Sequence, residues 1–386
     1  RSGHAVRLLA GAFSHLRRKQ PTLDGAEISR PTTEWIDGIE YTWYPTPSYQ
    51  GNGLGRVLNI WAFLRQVWLD AKRVVAECKP DGVISSSTYP LDIWVARRLA
   101  RIAKAKLIFE VHDLWPLSPI ELGGMSPRHP FILLCQWAEN TAYRNADVVV
   151  SMLPKVHEHM AAHGLNLSKL HIIPNGISPD DWSGNPQPIT GDLAGYVEAV
   201  HARGHFLVGY AGSHGLPNAL DYLLDTAALV KDRPISFVLL GDGHEKVRLQ
   251  QRVHCEGLTN VQMFPPIPKA QIPSLLQALD VAYIGWKNES LYRFGVSPNK
   301  LMDYMMAGCV VLHSIKAGND PVFEAGCGLT VPPESPKAIA EGLLKLAGLT
   351  TTERDTMGQN GRAYIQAHHL LTVLAQKFLS IIGGSQ

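Results

Sequence analysis

Short apolar runs closed by small or polar residues alternate along this chain with longer stretches in which apolar residues return every three or four positions. The runs Val6–Ala10, Ile39–Tyr44, Asp81–Ser86, Lys106–Val111, Ala146–Ser151 and His171–Pro174 read as strands. Leu91–Ala103, Pro130–Asn145 and Lys155–His163 read as helices between them. The clearest helix covers Arg56–Val75, where Val57, Trp61, Leu64, Trp68, Ala71 and Val75 recur at helical spacing and Arg65, Lys72 and Arg73 lie opposite. That stripe fits a core helix packed on a sheet, with a basic, Trp-bearing helix on a membrane surface as the alternative.

After a Pro- and Gly-rich stretch, Asn175–Leu193, the pattern restarts. Phe206–Ala211, Ile235–Leu240, Val261–Phe264, Val281–Gly285 and Cys309–Ile315 are expected strands. Leu220–Val230, a segment ending at Glu256, one from Ala270, Pro336–Gly348 and a long tail at Thr352–Ile382 are expected helices. Strands alternating with helices predict an α/β protein with parallel sheets covered on both faces, and ligands at the carboxyl ends of the strands. The expected division is a first domain at 1–177, a linker at 178–195, a second domain at 196–365 and a helical tail at 366–386 able to return to the first. The Gly3-His4 turn before the first strand suits the exit from a helix, so a helical segment is expected upstream of Arg1.

A length of 386 residues suits two domains of ordinary size. With 45% hydrophobic and 18% charged residues and a net charge of +2, the chain reads as globular, and a dedicated nucleic-acid binder is disfavoured. Positive charge is concentrated before Gly176, which points to an anionic partner for the first half. The scattered Cys78, Cys135, Cys255, Cys309 and Cys327 read as reduced core thiols of a cytoplasmic protein. No apolar run approaches the ~20 residues of a membrane span.

The chemistry concentrates at Arg293–Gly308, RFGVSPNKLMDYMMAG, a loop running into a helix. Ser297 suits the helix cap and Pro298 the first turn, so free backbone N–H groups there can meet phosphate. Lys300 supplies a mobile cation, and Asp303, on about the same face, can accept from two hydroxyls of a ribose. The bland reading of those residues is a capped helix with a surface Lys and Asp. Two glycine turns, GSHG with Gly212 and His214 and GDGH with Gly241 and Gly243, end strands on the same edge and allow a ligand close to the backbone. In the first half His112 and Asp113 end a strand, where a turn satisfied by its own backbone is the competing reading. His159 and His163, four apart on a helix, lack the HExxH order of a zinc site and read as a solvated face.

HDLW after a first-half strand, a PNGI junction, GDG, and SPNKLMDYMMAG followed by VVL together resemble a retaining glycosyltransferase of the GT-B fold, family 4. The resemblance implies two Rossmann-like α/β domains facing across a cleft, the first for the acceptor and the second for a nucleotide-sugar donor. YQGNGLGR and SPNKLMDY are similar to bacterial transferases that move L-fucosamine-type sugars in O-antigen or capsule assembly. It implies His112 and Asp113 as catalytic groups, and Asn52 and Arg56 on the acceptor side. Donor contacts are implied for Gly212, His214, Gly241, Gly243, Arg293, Phe294, Gly295, Pro298, Asn299, Lys300, Leu301 and Asp303. Asp303 stands where the family has the second glutamate of its Glu-x7-Glu motif, and Gly295 replaces the first, so the backbone of Phe294–Val296 is expected to serve the sugar instead. The resemblance implies that a first strand and helix of the family pattern are missing before Arg1 and are expected upstream. No Asp-x-Asp occurs, so a metal-independent site without cofactor is expected. The implied partners are a UDP-linked sugar and a polyprenyl-diphosphate-linked glycan, with peripheral contact at the cytoplasmic membrane face. A sugar-nucleotide epimerase of the same fold and a catalytically silent carbohydrate-binding relative are the alternatives.

Overall fold

A computed structural model describes residues 3–13, 22–23, 26–51 and 53–383. The chain divides into two compact units, residues 1–150 with 159–171, and residues 151–158 with 172–386.

The second unit is built on six parallel strands in the order Val261–Phe264, Ile235–Leu240, Phe206–Ala211, Val281–Gly285, Val311–Ser314, Gly328–Val331. The order runs outward from Phe206–Ala211 in one direction and then in the other, which leaves a crevice at the carboxyl ends where it reverses. The strand sequences are almost wholly apolar because both faces are covered. Alternate residues go to opposite layers: Leu207, Val238 and Ile284 pack in one cluster with Leu301 and Met305, whereas Val208, Phe237 and Tyr283 pack in the other with Leu224 and Leu343. The expected linker is largely absent as such. Gly191–Ala202 is a helix whose Leu193, Val197 and Val200 are buried in the second unit, and the chain passes between units near residues 150, 158 and 171. The tail is two helices, Thr351–His368 and Leu371–Gly383, and it stays with the second unit. Ile177 N donates to His369 O at 2.8 Å and Leu371 N to Ile177 O at 2.9 Å.

The first unit holds two larger sheets and a short antiparallel pair, Thr22–Leu23 with Ala26–Glu27. Arg7–Gly11 pairs parallel with Ile39–Tyr44, and Thr32–Ile36 pairs antiparallel with the latter. Gly82–Ser85, Lys106–Val111, Val148–Ser151 and Leu170–Ile172 form the other. The long helix expected from Arg56 spans Leu54–Cys78. Its buried face is Asn59, Ile60, Val67, Ala71 and Val74, so the core reading is right for the helix; of the expected stripe Ala71 is buried and Leu64 and Val75 pack against the core, but the two Trp residues do not. Trp61 and Trp68 are 61% and 42% exposed. Asp70 turns to Tyr44 and Arg73, which leaves the Trp side without that carboxylate. Cys135, Cys309 and Cys327 are buried free thiols and Cys78 half-buried, but Cys255 is exposed at a helix end, where no core requires it.

Candidate functional site

The turn after Phe206–Ala211 and the turn after Ile235–Leu240 lock onto each other through the backbone. Gly212 N donates to Leu240 O at 2.9 Å, His214 N to Asp242 O at 2.8 Å and Glu245 N to His214 O at 3.0 Å. The approach is so close that a Cβ on Gly241 would lie 1.8 Å from Gly212 O, and one on Gly243 2.4 Å from His214 O. These glycines are therefore required first by loop against loop, which the sequence reading had attributed to ligand approach.

The helix expected to begin at Ser297 and Pro298 begins one step later, at Asn299–Ala307, with Pro298 extended as its N-cap. The Ser297 hydroxyl does not cap it. It accepts from Asn175 N at 2.9 Å, and Ser297 O accepts from Asn175 Nδ2 at 2.7 Å. The PNGI junction thus braces the loop ahead of the helix. Tyr304, one turn into that helix, donates to Ala211 O at 3.1 Å and accepts from Ala211 N at 2.9 Å, fixing the helix across the first glycine turn.

This geometry brings Gly212, Gly241, Lys300 and Asp303 to the wall of one cavity of about 360 Å³, which Pro266, Ile267 and Ile272 line as well. Its size suits a small-molecule ligand. Lys300 is less mobile than expected. Its ammonium donates to Tyr210 Oη at 2.9 Å and to Asn218 Oδ1, and it lies 4.7 Å from the Tyr210 ring centre. Burial with no carboxylate against it lowers its pKa to about 8. Burial raises Asp303 to about 6, with Lys269 working against the shift and Asp181 with it. His214 is fully buried behind the glycine turns, and desolvation, then the neighbouring Lys246, lowers it to about 4, so its ring is neutral at pH 7. A cation and a carboxyl, each desolvated and separated by one helical turn, can together hold a diphosphate and a vicinal diol.

The remaining expected donor residues do not line that cavity. Arg293 is exposed, donates to Ser290 O at 2.7 Å and lies over the Phe294 ring. Leu301 is wholly in the core, and Asn299 is exposed. The Phe294–Val296 backbone expected to serve a sugar is engaged within the protein. Gly295 N donates to Tyr292 O at 2.9 Å and Val296 N to Asn319 Oδ1 at 2.7 Å, while Phe294 O accepts from Lys155 N at 3.0 Å. Gly295 has φ +101°, and a Cβ there would meet Pro154 Cδ at 2.5 Å, so no L-residue fits without movement. Tyr210, Asn218 and Asn319 escaped the sequence reading because each lies far along the chain from the residue it supports.

In the first unit His112 and Asp113 have different fates. His112 Nε2 is 2.8 Å from Ser86 Oγ and 3.4 Å from Glu110 Oε2, and Ser86 Oγ donates to the same carboxylate oxygen. The hydrogen bond with Glu110 raises His112 and lowers Glu110. Glu110 was legible as the alternate residue of the strand Lys106–Val111, the one that shares a face with His112. Asp113 instead accepts from Trp115 Nε1 at 3.2 Å and from Ser118 Oγ, which closes its own loop. Both carboxylate oxygens of Asp113, expected to be catalytic, thus hold its own loop together. Arg56 lies over the Trp115 ring at 5.6 Å, beside the His112 loop, and Asn52 falls outside the described residues.

Glu139, His159 and His163 present ligand atoms within 4.8 Å of one another, the one such set among the described residues. Glu139 already accepts from Tyr143 Oη at 3.0 Å and Gln136 Nε2 at 2.6 Å, and Gln136 also meets His163 Nδ1 at 2.9 Å. The two histidines, expected on a solvated face, are therefore half-buried and join a polar network around the buried Glu139.

Comparisons with known proteins agree with this architecture. Residues 1–176 match the family described as glycosyl transferase 4-like domain, and residues 205–348 match glycosyl transferases group 1. Two curated relatives carry glycosyltransferase names: WbjE of Pseudomonas aeruginosa, 23% identical over 78% of this chain and 76% of its own, and WcaI of Escherichia coli, named for colanic acid biosynthesis, 27% identical over 69% and 66%. Among solved structures, Anabaena HepE in complex with UDP and glucose superposes with a TM-score of 0.65 at 18% identity over 90% of this chain and 87% of that one. Sucrose-phosphate synthase of Thermosynechococcus elongatus gives 0.67 at 18% identity over 91% and 84%. With both halves matched in order and the parallel sheets in place, the chain belongs to the family 4 glycosyltransferases of the GT-B fold.

Proposed function

We propose that this glycosyltransferase moves a sugar, of the N-acetylfucosamine type, from a UDP-linked donor to a polyprenyl-diphosphate-linked glycan during cell-surface polysaccharide synthesis, with retention at the anomeric carbon and without a metal. The observation that carries the reading is the placing of Lys300 and Asp303 on one wall of the cavity in the second unit. HepE, a structural neighbour, has been captured with UDP, and WcaI is named for colanic acid biosynthesis; both support a nucleotide donor and a surface glycan. In this reaction the bond from the anomeric carbon to the diphosphate oxygen breaks as the acceptor oxygen bonds to the same face, and the acceptor's proton leaves with the diphosphate. Lys300 offsets the charge gathering on that leaving group. Asp303 accepts from the ribose hydroxyls, and the Pro266–Ile267 end receives the base. His112, whose pKa the hydrogen bond with Glu110 raises and whose ring is open to solvent, is the hydrogen-bonding group that the first unit offers to substrate. A location at the cytoplasmic membrane face fits a lipid-linked acceptor.

The test is calorimetry with UDP, GDP and uridine, followed by UDP release from UDP-sugar with a polyprenyl-diphosphate glycan. Preference for UDP and acceptor-dependent release are expected. A new UDP-sugar formed without acceptor indicates an epimerase, and binding without release under any acceptor indicates a silent relative. Transfer is expected to continue in EDTA, since Lys300 supplies the positive charge. Loss on chelation that Mg²⁺ restores overturns the metal-independent reading.

Affinity for UDP is also expected to peak between pH 6 and 8. Below the Asp303 value of about 6 the carboxylate gains a proton and loses its acceptor capacity, so affinity falls as pH falls. Above the Lys300 value of about 8 the cation is lost, so affinity falls as pH rises. Each limb has a slope of at most about tenfold per pH unit. Asp303→Asn should flatten the acid limb and weaken UDP by about 10-fold, the loss of a charged hydrogen-bond acceptor. An unchanged acid limb in the variant removes Asp303 from the ribose site.

A further inference from the structure

The helix Leu54–Cys78 does not turn all its aromatic residues inward, and the groove it forms with two neighbours has an unusual lining. Trp68, Trp94 and Trp137 come from Leu54–Cys78, Ile93–Ala103 and Pro130–Asn145, and they surround a surface groove of about 580 Å³ together with Arg97, Arg98 and Arg101. No acidic side chain lines it. Arg98 lies 4.6 Å over the Trp68 ring and donates to Trp68 O, and the Trp94 and Trp137 rings are 4.9 Å apart. Among the described residues no ion pair reaches Arg97, Arg98 or Arg101, in contrast to Arg73, Arg248 and Arg252, each of which is matched by carboxylates. Along the long helix the same side continues through exposed Leu58, Trp61 and Leu69, with Arg65 over the Trp61 ring at 5.8 Å.

We propose that this Trp- and Arg-bearing face of the first unit is a docking surface for an anionic phospholipid bilayer. The inference deepens the membrane reading given above and rests on it. Indole rings with an apolar body and one N–H donor are placed most favourably at the boundary between headgroups and acyl chains. Guanidinium groups match the phosphates of the same layer in a forked geometry that lysine lacks. Both chemistries occur on one face, the apolar residues stand out from it, and its positive charge is not neutralised within the protein. A soluble protein partner of ordinary composition fits less well, since it must bring a carboxylate to each of several crowded arginines. Nucleic acid leaves the exposed leucines unexplained. No helix of the described residues is long and apolar enough to cross a membrane, so the contact is one of lying on the surface.

The experiment uses the full chain and vesicles that contain no glycan acceptor. Co-sedimentation is measured with phosphatidylcholine alone and with 30 mol% phosphatidylglycerol added, a proportion chosen to give about the anionic charge of a bacterial-type surface. Binding is expected with the anionic vesicles, weakening as salt is raised, and close to none with phosphatidylcholine. Arg97→Glu with Arg101→Glu should reduce vesicle binding at least tenfold, and Trp68→Ala with Trp94→Ala should reduce it under low salt as well. Both variants should keep the UDP-dependent thermal shift, which reports a folded second unit, and the far-UV circular dichroism of the parent. Equal binding to both vesicle types, no binding to either, or arginine variants that bind like the parent overturns the proposal, as does tighter capture by single-stranded RNA than by anionic vesicles. Release of UDP to a water-soluble acceptor without any vesicle binding leaves the glycosyltransferase reading standing and this surface refuted. Vesicle binding without transfer to a lipid-linked acceptor does the reverse.

Discussion

Replacing Lys300 by alanine is expected to weaken UDP by about 10- to 100-fold while leaving uridine almost unchanged, the range set by roughly 1.5–3 kcal/mol for a hydrogen bond to a charged group. The ammonium stands at the first glycine turn, where a Cβ on Gly212 would come within 3.2 Å of it. It is held there by Tyr210 and Asn218, neutral groups that orient it without cancelling its charge. Burial has already lowered it to about 8, so its hydration has been given up in advance and an arriving diphosphate restores what was lost. The variant leaves no buried charge behind, and its folding should be close to that of the parent. Titration calorimetry with the two ligands is the measurement, and equal losses for UDP and uridine show that Lys300 does not meet the diphosphate.

Gly241→Ala is expected to be the more damaging change for the fold. At φ +147° with the Gly212 carbonyl oxygen 1.8 Å from the new methyl position, the two glycine turns cannot both keep their places. Strain and displacement of this kind cost roughly 3 kcal/mol or more. For a unit of this size that lowers Tm by about 6–12 °C. The turns also carry the cavity wall, so the stabilisation by UDP should disappear together with the melting temperature. Gly195→Ala is the matched control: it lies in the helix Gly191–Ala202 with no atom within 4 Å of the new methyl, and should be neutral or stabilising by about 1 kcal/mol. A Gly241→Ala protein that melts like the parent and still responds to UDP removes the loop-against-loop account.

Asp113 and Lys300 show why local sequence chemistry points to a site without distinguishing its working members. Both are polar residues beside a strand or helix end, and both can reach a ligand in principle. Asp113 finds Trp115 and Ser118 within five residues and is used up closing a turn. Lys300 has no such near neighbour. Its partners Tyr210 and Asn218 are some 90 and 82 positions away, and only the folded sheet brings them to it.

What the sequence by itself determined is five of the six strands in the second unit, all but the half-exposed edge strand Gly328–Val331, and the glycine turns at their ends. Buried parallel strands such as ISFVLL must be apolar along their whole length, so FLVGYA, ISFVLL and VAYIG stand out with their ends intact, and the glycine turns and SPNKLMD follow directly from those ends. What only the tertiary structure decided is which residues of each motif remain available. Helical spacing cannot tell which of two adjacent stripes is buried: Ile60, Val67 and Val74 are buried, Val67 and Val74 against Val95 and Leu99 of the neighbouring helix, whereas Trp61 and Trp68 stay exposed. Glycine in GDGH says that a side chain is excluded but not by what; the excluding atom is a carbonyl oxygen of another turn. The Ser297 hydroxyl could cap its own helix or brace a distant asparagine, and the return of the chain at Asn175 settles which, because a backbone N–H arriving at 2.9 Å takes the oxygen that a cap would have used.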